Sequence, residues 1–184
     1  MRGLNGLRSR ARRPRKTGGS AAKKPDLSFS EKLREQEALL AIMKKYKIGY
    51  TQGVYDMFHI GHLRLLNRAK EQCETLIVGV NADRLVEAYK HKTPVIGEAE
   101  RQEIVSNIKA VDRCVIADTL DKVKIWEQLR FDAIFIGDDW KGNERWARTE
   151  EELRPLGAEV VYLPHTPGIS STELRGEKED RVGE

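Results

Sequence analysis

Residues 53–62 read Gly-Val-Tyr-Asp-Met-Phe-His-Ile-Gly-His and join a strand-like run to a helix-like run. No other stretch limits the possible folds as much. Lys47 to Gln52 carry apolar and β-branched side chains, and Leu63, Leu65, Leu66 and Ala69 recur at helical spacing. A helix opening at Ile60 to His62 leaves its first N–H groups unpaired and its positive dipole end forward, so an anion is favoured there and phosphate is the expected guest. Gly53 and Gly61 permit a tight turn and close backbone approach. His59 and His62, three apart, can face the same anion; they donate hydrogen bonds in either protonation state and add charge when protonated. An HxxH pair beside Asp56 also suits a metal, so the junction alone leaves phosphate and metal open.

The rest of the chain alternates helical and strand patterns. Ser28 to Tyr46 reads as a helix, with Ser28 and Glu31 at capping-box spacing and Leu33, Leu40 and Met43 on one side. Its expected job is to pack on the domain or on a partner subunit. Thr75 to Asn81 is an apolar run suited to a doubly covered strand, preceded by Cys73 at a helix end. Ala82 to Ile96 begins helical and ends as a loop, and Glu98 to Lys109 carries the Ile104, Val105, Ile108 pattern of an amphipathic helix. Strands are expected at Val111 to Ala117, Asp132 to Gly137 and Glu159 to Leu163. Helices are expected at Asp121 to Arg130 and Glu144 to Leu156, with a short one from Ser170. This alternation predicts right-handed βαβ units and a doubly wound, Rossmann-like α/β fold with a parallel sheet, whose ligands sit at the carboxyl ends of the strands.

Charge divides the chain. The net +4 of the 184 residues comes from a tail: residues 1–25 hold nine Lys or Arg and no acid, leaving 24 basic against 29 acidic residues beyond. The expected organisation is a disordered basic tail over 1–26, an N-terminal helix over 27–46, a folded domain over 47–176 and a disordered end over 177–184. The tail lacks aromatic interleaving and an amphipathic helix, so nucleic acid is not the expected partner, although an Arg-rich tail on a platform domain is the reading from a different class. No apolar run approaches the roughly 18 residues that cross a membrane. Two cysteines, Cys73 and Cys114, and no apolar segment after the N-terminal charges suit a cytoplasmic protein.

Three polar, glycine-bearing stretches follow strands: residues 53–62, 137–142 (GDDWKG) and 165–172 (HTPGISST). The first resembles the GxFDxxHxGH signature of the cytidylyltransferase family and the last is similar to its RTEGISTT signature. Val111-Asp112 resembles part of the family's RYVDEV motif, and Gly137 to Trp140 is similar to the GDDW of its bacterial glycerol-3-phosphate branch. The resemblance runs from about Lys47 to Arg175, and it favours phosphate over metal at the histidines, since zinc would need further ligands and only His91 and His165 remain.

The resemblance implies transfer of CMP from CTP to a phosphomonoester, foremost sn-glycerol 3-phosphate, giving CDP-glycerol for cell-wall (teichoic acid) or membrane polymers and pyrophosphate. It implies Mg²⁺ arriving with CTP, no metal held by the protein alone, and a homodimer. His59, His62 and Lys92 are the implied catalytic residues. The implied nucleotide site comprises Gly53, Val54, Tyr55, Asp56, Gly61, Asp139, Trp140, His165, Thr166, Gly168, Ile169, Ser170, Ser171 and Thr172. Lys90, Lys92, Arg101, Lys109 and Asp112 are the implied acceptor contacts. On the residues alone, Asp56 also reads as a turn or capping residue, Asp138 and Asp139 as a magnesium pair or solvated acids, and Asp112 as a local strand-end cap. His165 replaces the family arginine, Pro167 its glutamate, and Lys109-Ala110 its Arg-Tyr. Alternative acceptors are ethanolamine, choline or another polyol phosphate. Adenylyl transfer from ATP to a sugar phosphate or FMN uses related architecture, and an inactive regulatory relative is a further reading.

Overall fold

Five apolar runs pair as parallel strands because each βαβ crossover returns the chain to the same end of the sheet. The computed structural model describes residues 28–42, 44–174 and 176. The expected tails over 1–26 and 177–184, together with Met43 and Arg175, lie outside the described residues, as do the side chains of Leu40 and Thr172. The strands are β1 (Tyr46–Gly53), β2 (Cys73–Asn81), β3 (Arg113–Ala117), β4 (Ala133–Gly137) and β5 (Glu159–Leu163), in the order β3-β2-β1-β4-β5. The helices are α1 (Phe29–Ile42), α2 (Ile60–Gln72), α3 (Asp83–Lys90), α4 (Glu98–Ser106), α5 (Lys122–Leu129), α6 (Glu144–Leu153) and α7 (Ser171–Leu174). The expected doubly wound α/β fold is present.

Alternation along the strands feeds two cores. Leu76, Val78 and Val80 of β2 join Leu66 of α2, Val105 of α4 and Phe135 on one face. Ile77 joins Tyr50, Ile125 of α5, Phe131, Ile134 and Trp146 of α6 on the other. That second face packs tightly at Gly79, where an added Cβ would lie 2.2 Å from the Tyr50 hydroxyl.

Several boundaries move from those the pattern suggests. The first helix ends at Ile42, and Tyr46 opens β1 instead, because the sheet claims it: it pairs with Cys73, packs edge-on to Phe135 at 5.9 Å and donates its hydroxyl to Glu159. Residues 28–36 are exposed throughout, including Phe29 and Leu33, so this part of α1 does not pack on the domain. Cys73 is the C-cap of α2, as expected, and also opens β2, and both cysteines are free thiols. On α4 Val105 is buried while Ile104 faces solvent, and Ile108 lies beyond the helix, packed against the first core. Pro155 sits in a tight turn over Arg154–Leu156 that ends α6 early, and Gly157 leaves that turn at φ +81°.

Arg101 departs most from expectation. It is fully buried in the first turns of α4 and donates to the carbonyls of Ile96, Val54 and Asn81 and to the Asp83 carboxylate. A planar guanidinium can satisfy acceptors on three segments at once, which is why an arginine is tolerated here without solvent. Its role is to bind the ends of β1 and β2 to the 95–97 loop, and it does not reach an acceptor phosphate. Arg101→Met should lower the unfolding free energy by about 3 kcal/mol, since it strands these acceptors. Urea denaturation followed by circular dichroism measures it, and a loss under about 1 kcal/mol would remove Arg101 from this role.

Candidate active site

The strand order reverses between β1 and β4, and a doubly wound sheet opens a crevice at the carboxyl ends flanking such a reversal. Here those ends are Gly53 and Gly137. The chain leaves β1 into the 53–62 stretch through left-handed backbone at Tyr55 (φ 57°) and Met57 (φ 49°), conformations that cost non-glycine residues about 1 kcal/mol or more each. Burial holds them: the Tyr55 ring is 4% exposed, lies edge-on to the His62 ring at 5.2 Å and also neighbours Phe58.

The Asp56 carboxylate is 1% exposed and accepts from the Val95 and Ile96 amides at 2.9 and 3.0 Å. Its carbonyl accepts from the Ser171 hydroxyl at 2.8 Å. One residue thus ties the first loop to the segment after Lys90 and Lys92 and to the 165–172 loop. Ile169 reaches the same place, since a Cβ on Gly61 would lie 3.6 Å from its Cγ2 and 2.9 Å from the His59 ring. Gly168, at φ +77°, turns that loop inward.

His59 is the N-cap of α2, and its Nδ1 accepts from the Gly61 amide at 3.1 Å. His62 Nδ1 faces the His59 amide at 3.5 Å, and the two rings stack 3.9 Å apart. With both Nδ1 atoms accepting, a neutral ring carries its proton on Nε2, which is the atom that can donate to an anion. Burial holds the His62 pKa down to about 3, reinforced by the neighbouring His59 and Lys90 and opposed by Asp56. His62 is therefore a neutral donor, not the added positive charge that the sequence allows.

The crevice's other wall is β4's exit. Gly137 leads into a tight turn, Asp138–Trp140, where the Asp138 carboxylate accepts from the His165 amide at 2.9 Å and Asp139 lies 3.8 Å from His165 Nδ1. The Trp140 ring is exposed, Thr166 is buried, and Arg68 of α2 donates to the Pro164 carbonyl. Gly53, Val54, Tyr55, Asp56, His59, Gly61, His62, Asp139, His165 and the 166–172 loop thus gather at one edge. Lys90 ends α3 close enough to affect His62, and Lys92 is exposed in the following loop. Among the described residues no group of three or more His, Cys, Asp or Glu could hold a metal ion.

Two expected acceptor contacts fall elsewhere. Asp112 accepts from the Leu76 amide and from Lys70 just before β3, and Lys109 is exposed in the turn leading to it. Both sit at the amino ends of the strands, opposite the crevice, because a parallel sheet puts every helix-to-strand turn at that edge. Asp112 is the local strand-end cap. Of the three hydroxyls at 170–172, that of Ser171 is engaged with Asp56, so it fastens the loop.

A polar network at the carboxyl ends is not visible in the motifs. The Gln52 amide donates to Asn81 Oδ1 and the Thr119 carbonyl, Asn81 donates to the Tyr89 hydroxyl, and Lys122 donates to Gln52 Oε1 at 2.8 Å. Burial pushes the Lys122 pKa down to about 7, aided by the charge of Arg145. The available signal was a polar residue closing each of two apolar strands, Gln52 and Asn81.

A cytidylyltransferase-like family model matches residues 50–177. The FAD synthase of Korarchaeum cryptofilum is 36% identical over 125 residues, covering 66% of this chain and 84% of that protein. The bifunctional protein HldE of Koribacter versatilis is 33% identical over 129 residues, 70% of this chain and 26% of that protein. The chain thus spans about a quarter of the length of such HldE relatives. The lipopolysaccharide core biosynthesis protein from Thermoplasma volcanium superposes with a TM-score of 0.57 at 27% identity, over 67% of this chain and 99% of that one. Pantothenate synthetase from Thermus thermophilus, at 16% identity and a TM-score of 0.52 over 74% of this chain and 64% of that one, shares the fold.

The depressed His62 pKa sets a pH dependence of stability. The unfolded chain takes up a proton near pH 6.5 and the folded one near 3, so stability falls as pH drops through that window. Between pH 7 and 4.5 the parent should lose about 2 kcal/mol more than His62→Gln. Urea titrations across this range measure the difference, and parallel curves would show that His62 titrates normally.

Proposed function

The chain belongs to the cytidylyltransferase-like family, and from that premise we propose that it transfers a nucleotidyl group, CMP from CTP, to a small phosphomonoester of which sn-glycerol 3-phosphate is the simplest candidate. One phosphate oxygen of the acceptor attacks the α-phosphorus while the bond to the β-phosphate breaks, releasing pyrophosphate. The observation that carries this reading is the fastening of the 165–172 loop onto the His59–His62 turn through Ser171 and Asp56. That contact supports a reading in which two phosphate-binding loops act around one crevice.

The chemistry needs positioning and charge stabilisation more than covalent help. The Nε2–H groups of His59 and His62 and the first amides of α2 would donate to the α-phosphate and leaving oxygens. Ser170, Thr172 and backbone amides of the last loop would hold the outer phosphates, with His165 at their edge. Lys90 and Lys92 would supply mobile positive charge, Lys92 beside the reacting centre. Mg²⁺ would enter on the triphosphate, whose oxygens are its natural ligands, and lower its charge. The GDDW stretch, Gly137 to Trp140, supports CTP and a glycerol phosphate. A homodimer and a cytoplasmic location belong to the same proposal, and no helix among the described residues is long and apolar enough to cross a membrane.

The names of the relatives favour a second reading. FAD synthase, matched over 84% of its length, supports adenylyl transfer to FMN, and HldE directs attention to sugar phosphates. Incubation with CTP or ATP and a panel of glycerol, sugar, ethanolamine and flavin phosphates, with pyrophosphate as readout, separates them. CTP with a polyol phosphate is the expected pair, and turnover with ATP alone would transfer the proposal to the second reading.

His62→Ala should lower kcat by about 10²- to 10³-fold on the productive pair, as loss of one preorganised donor does. A kcat within tenfold of the parent would exclude His62 from the transition state. Lys92→Ala should weaken both acceptor use and turnover, and unchanged steady-state constants would place Lys92 outside the site.

A further inference from the structure

Beside the crevice, one more concavity gathers cations. A cleft of about 390 Å³ lies between the start of α5 and α6, walled by Lys122, Arg145, Arg148, Thr149, Asp121 and Glu152. Its acids are already engaged: Asp121 caps α5 by accepting from the Val123 and Lys124 amides, and Glu152 pairs with Arg148 at 2.9 Å. The Thr149 hydroxyl donates to the Arg145 carbonyl. Lys122 is 5% exposed and its ammonium has only neutral acceptors, Gln52 Oε1 and the Leu120 carbonyl. Neither Lys122 nor Arg145 forms an ion pair among the described residues, and the Arg145 charge is felt at both Lys122 and Tyr89.

The Arg145 charge opposes that of Lys122 and Asp121 offsets it only in part, so desolvating the two cations is costly unless a further anion joins them. Lys122 also links the cleft's wall to the crevice's edge, because Gln52, which accepts from it, directly precedes Gly53. We propose that this cleft receives a second anionic group of the acceptor, a carboxylate or phosphate distal to the reacting phosphate, held by the Arg145 guanidinium with Arg148 at the rim. The fork of a guanidinium matches either group in a bidentate way. The inference rests on the nucleotidyl-transfer reading and moves its preferred acceptor from glycerol 3-phosphate, which carries one anionic group, to phosphomonoesters that carry a second.

Two matched pairs test it: glycerol 3-phosphate against 3-phosphoglycerate, and fructose 6-phosphate against fructose 1,6-bisphosphate. Each is assayed for pyrophosphate release and titrated calorimetrically into the full-length protein. In at least one pair the doubly anionic member should be preferred by about tenfold or more in kcat/KM and in affinity, the worth of one charge-assisted bidentate contact. Arg145→Gln should abolish that preference through KM rather than kcat, and Arg145→Lys should keep part of it. Equal use and equal binding within both pairs, or a preference that survives Arg145→Gln, overturns the inference. Absence of pyrophosphate release with every acceptor would instead refute the activity, while the calorimetric comparison still decides the cleft.

Discussion

Much of the candidate site hangs on the buried carboxylate of Asp56. A carboxylate removed from water must be hydrogen-bonded, and here the donors are the backbone amides of Val95 and Ile96, forty residues away in sequence. That requirement positions the segment following Lys90 and Lys92 against the strand-to-helix turn. The carbonyl of the same residue receives Ser171, so the far end of the chain docks on it as well. Arg101 reinforces the arrangement from beneath, joining Val54, Asn81, Asp83 and Ile96 through one guanidinium. Residues that look like ligand contacts in a linear reading serve here as braces between the loops.

Burial divides the cations and donors into two kinds. His62 and Lys122 are desolvated, so the charged form of each is disfavoured, and His62 offers a neutral N–H to a phosphate. Lys90, Lys92 and Arg145 are exposed to solvent. On the proposed reading, a phosphate-bearing substrate would meet exposed charge at the mouth and neutral donors inside. On that reading, fixed donors would favour one geometry of a transferring phosphoryl group.

Strand-to-helix alternation, the three polar loops and the histidine pair were legible because each is local: periodicity and glycine placement act within a few residues. Element boundaries failed where a distant partner decided them, as at Tyr46, which the sheet takes from the first helix through Cys73, Phe135 and Glu159. Arg101, Lys109 and Asp112 were assigned to an acceptor from motif positions that carry no depth or direction. One is buried beneath the site and two lie at the opposite edge of the sheet.

From sequence alone, this chain's fold class and the polar, glycine-bearing character of its strand-end loops were determined, because hydrophobic period and turn chemistry are properties of short segments. Which polar residues meet across those loops was decided only by the tertiary structure. Ser171 reaching Asp56, Lys122 reaching Gln52 and Arg145 sensing Lys122 depend on where β1, β4 and their flanking helices place their ends. The physical reason is that charge state and hydrogen-bond supply follow burial and long-range approach, and neither is written in the spacing of residues along the chain.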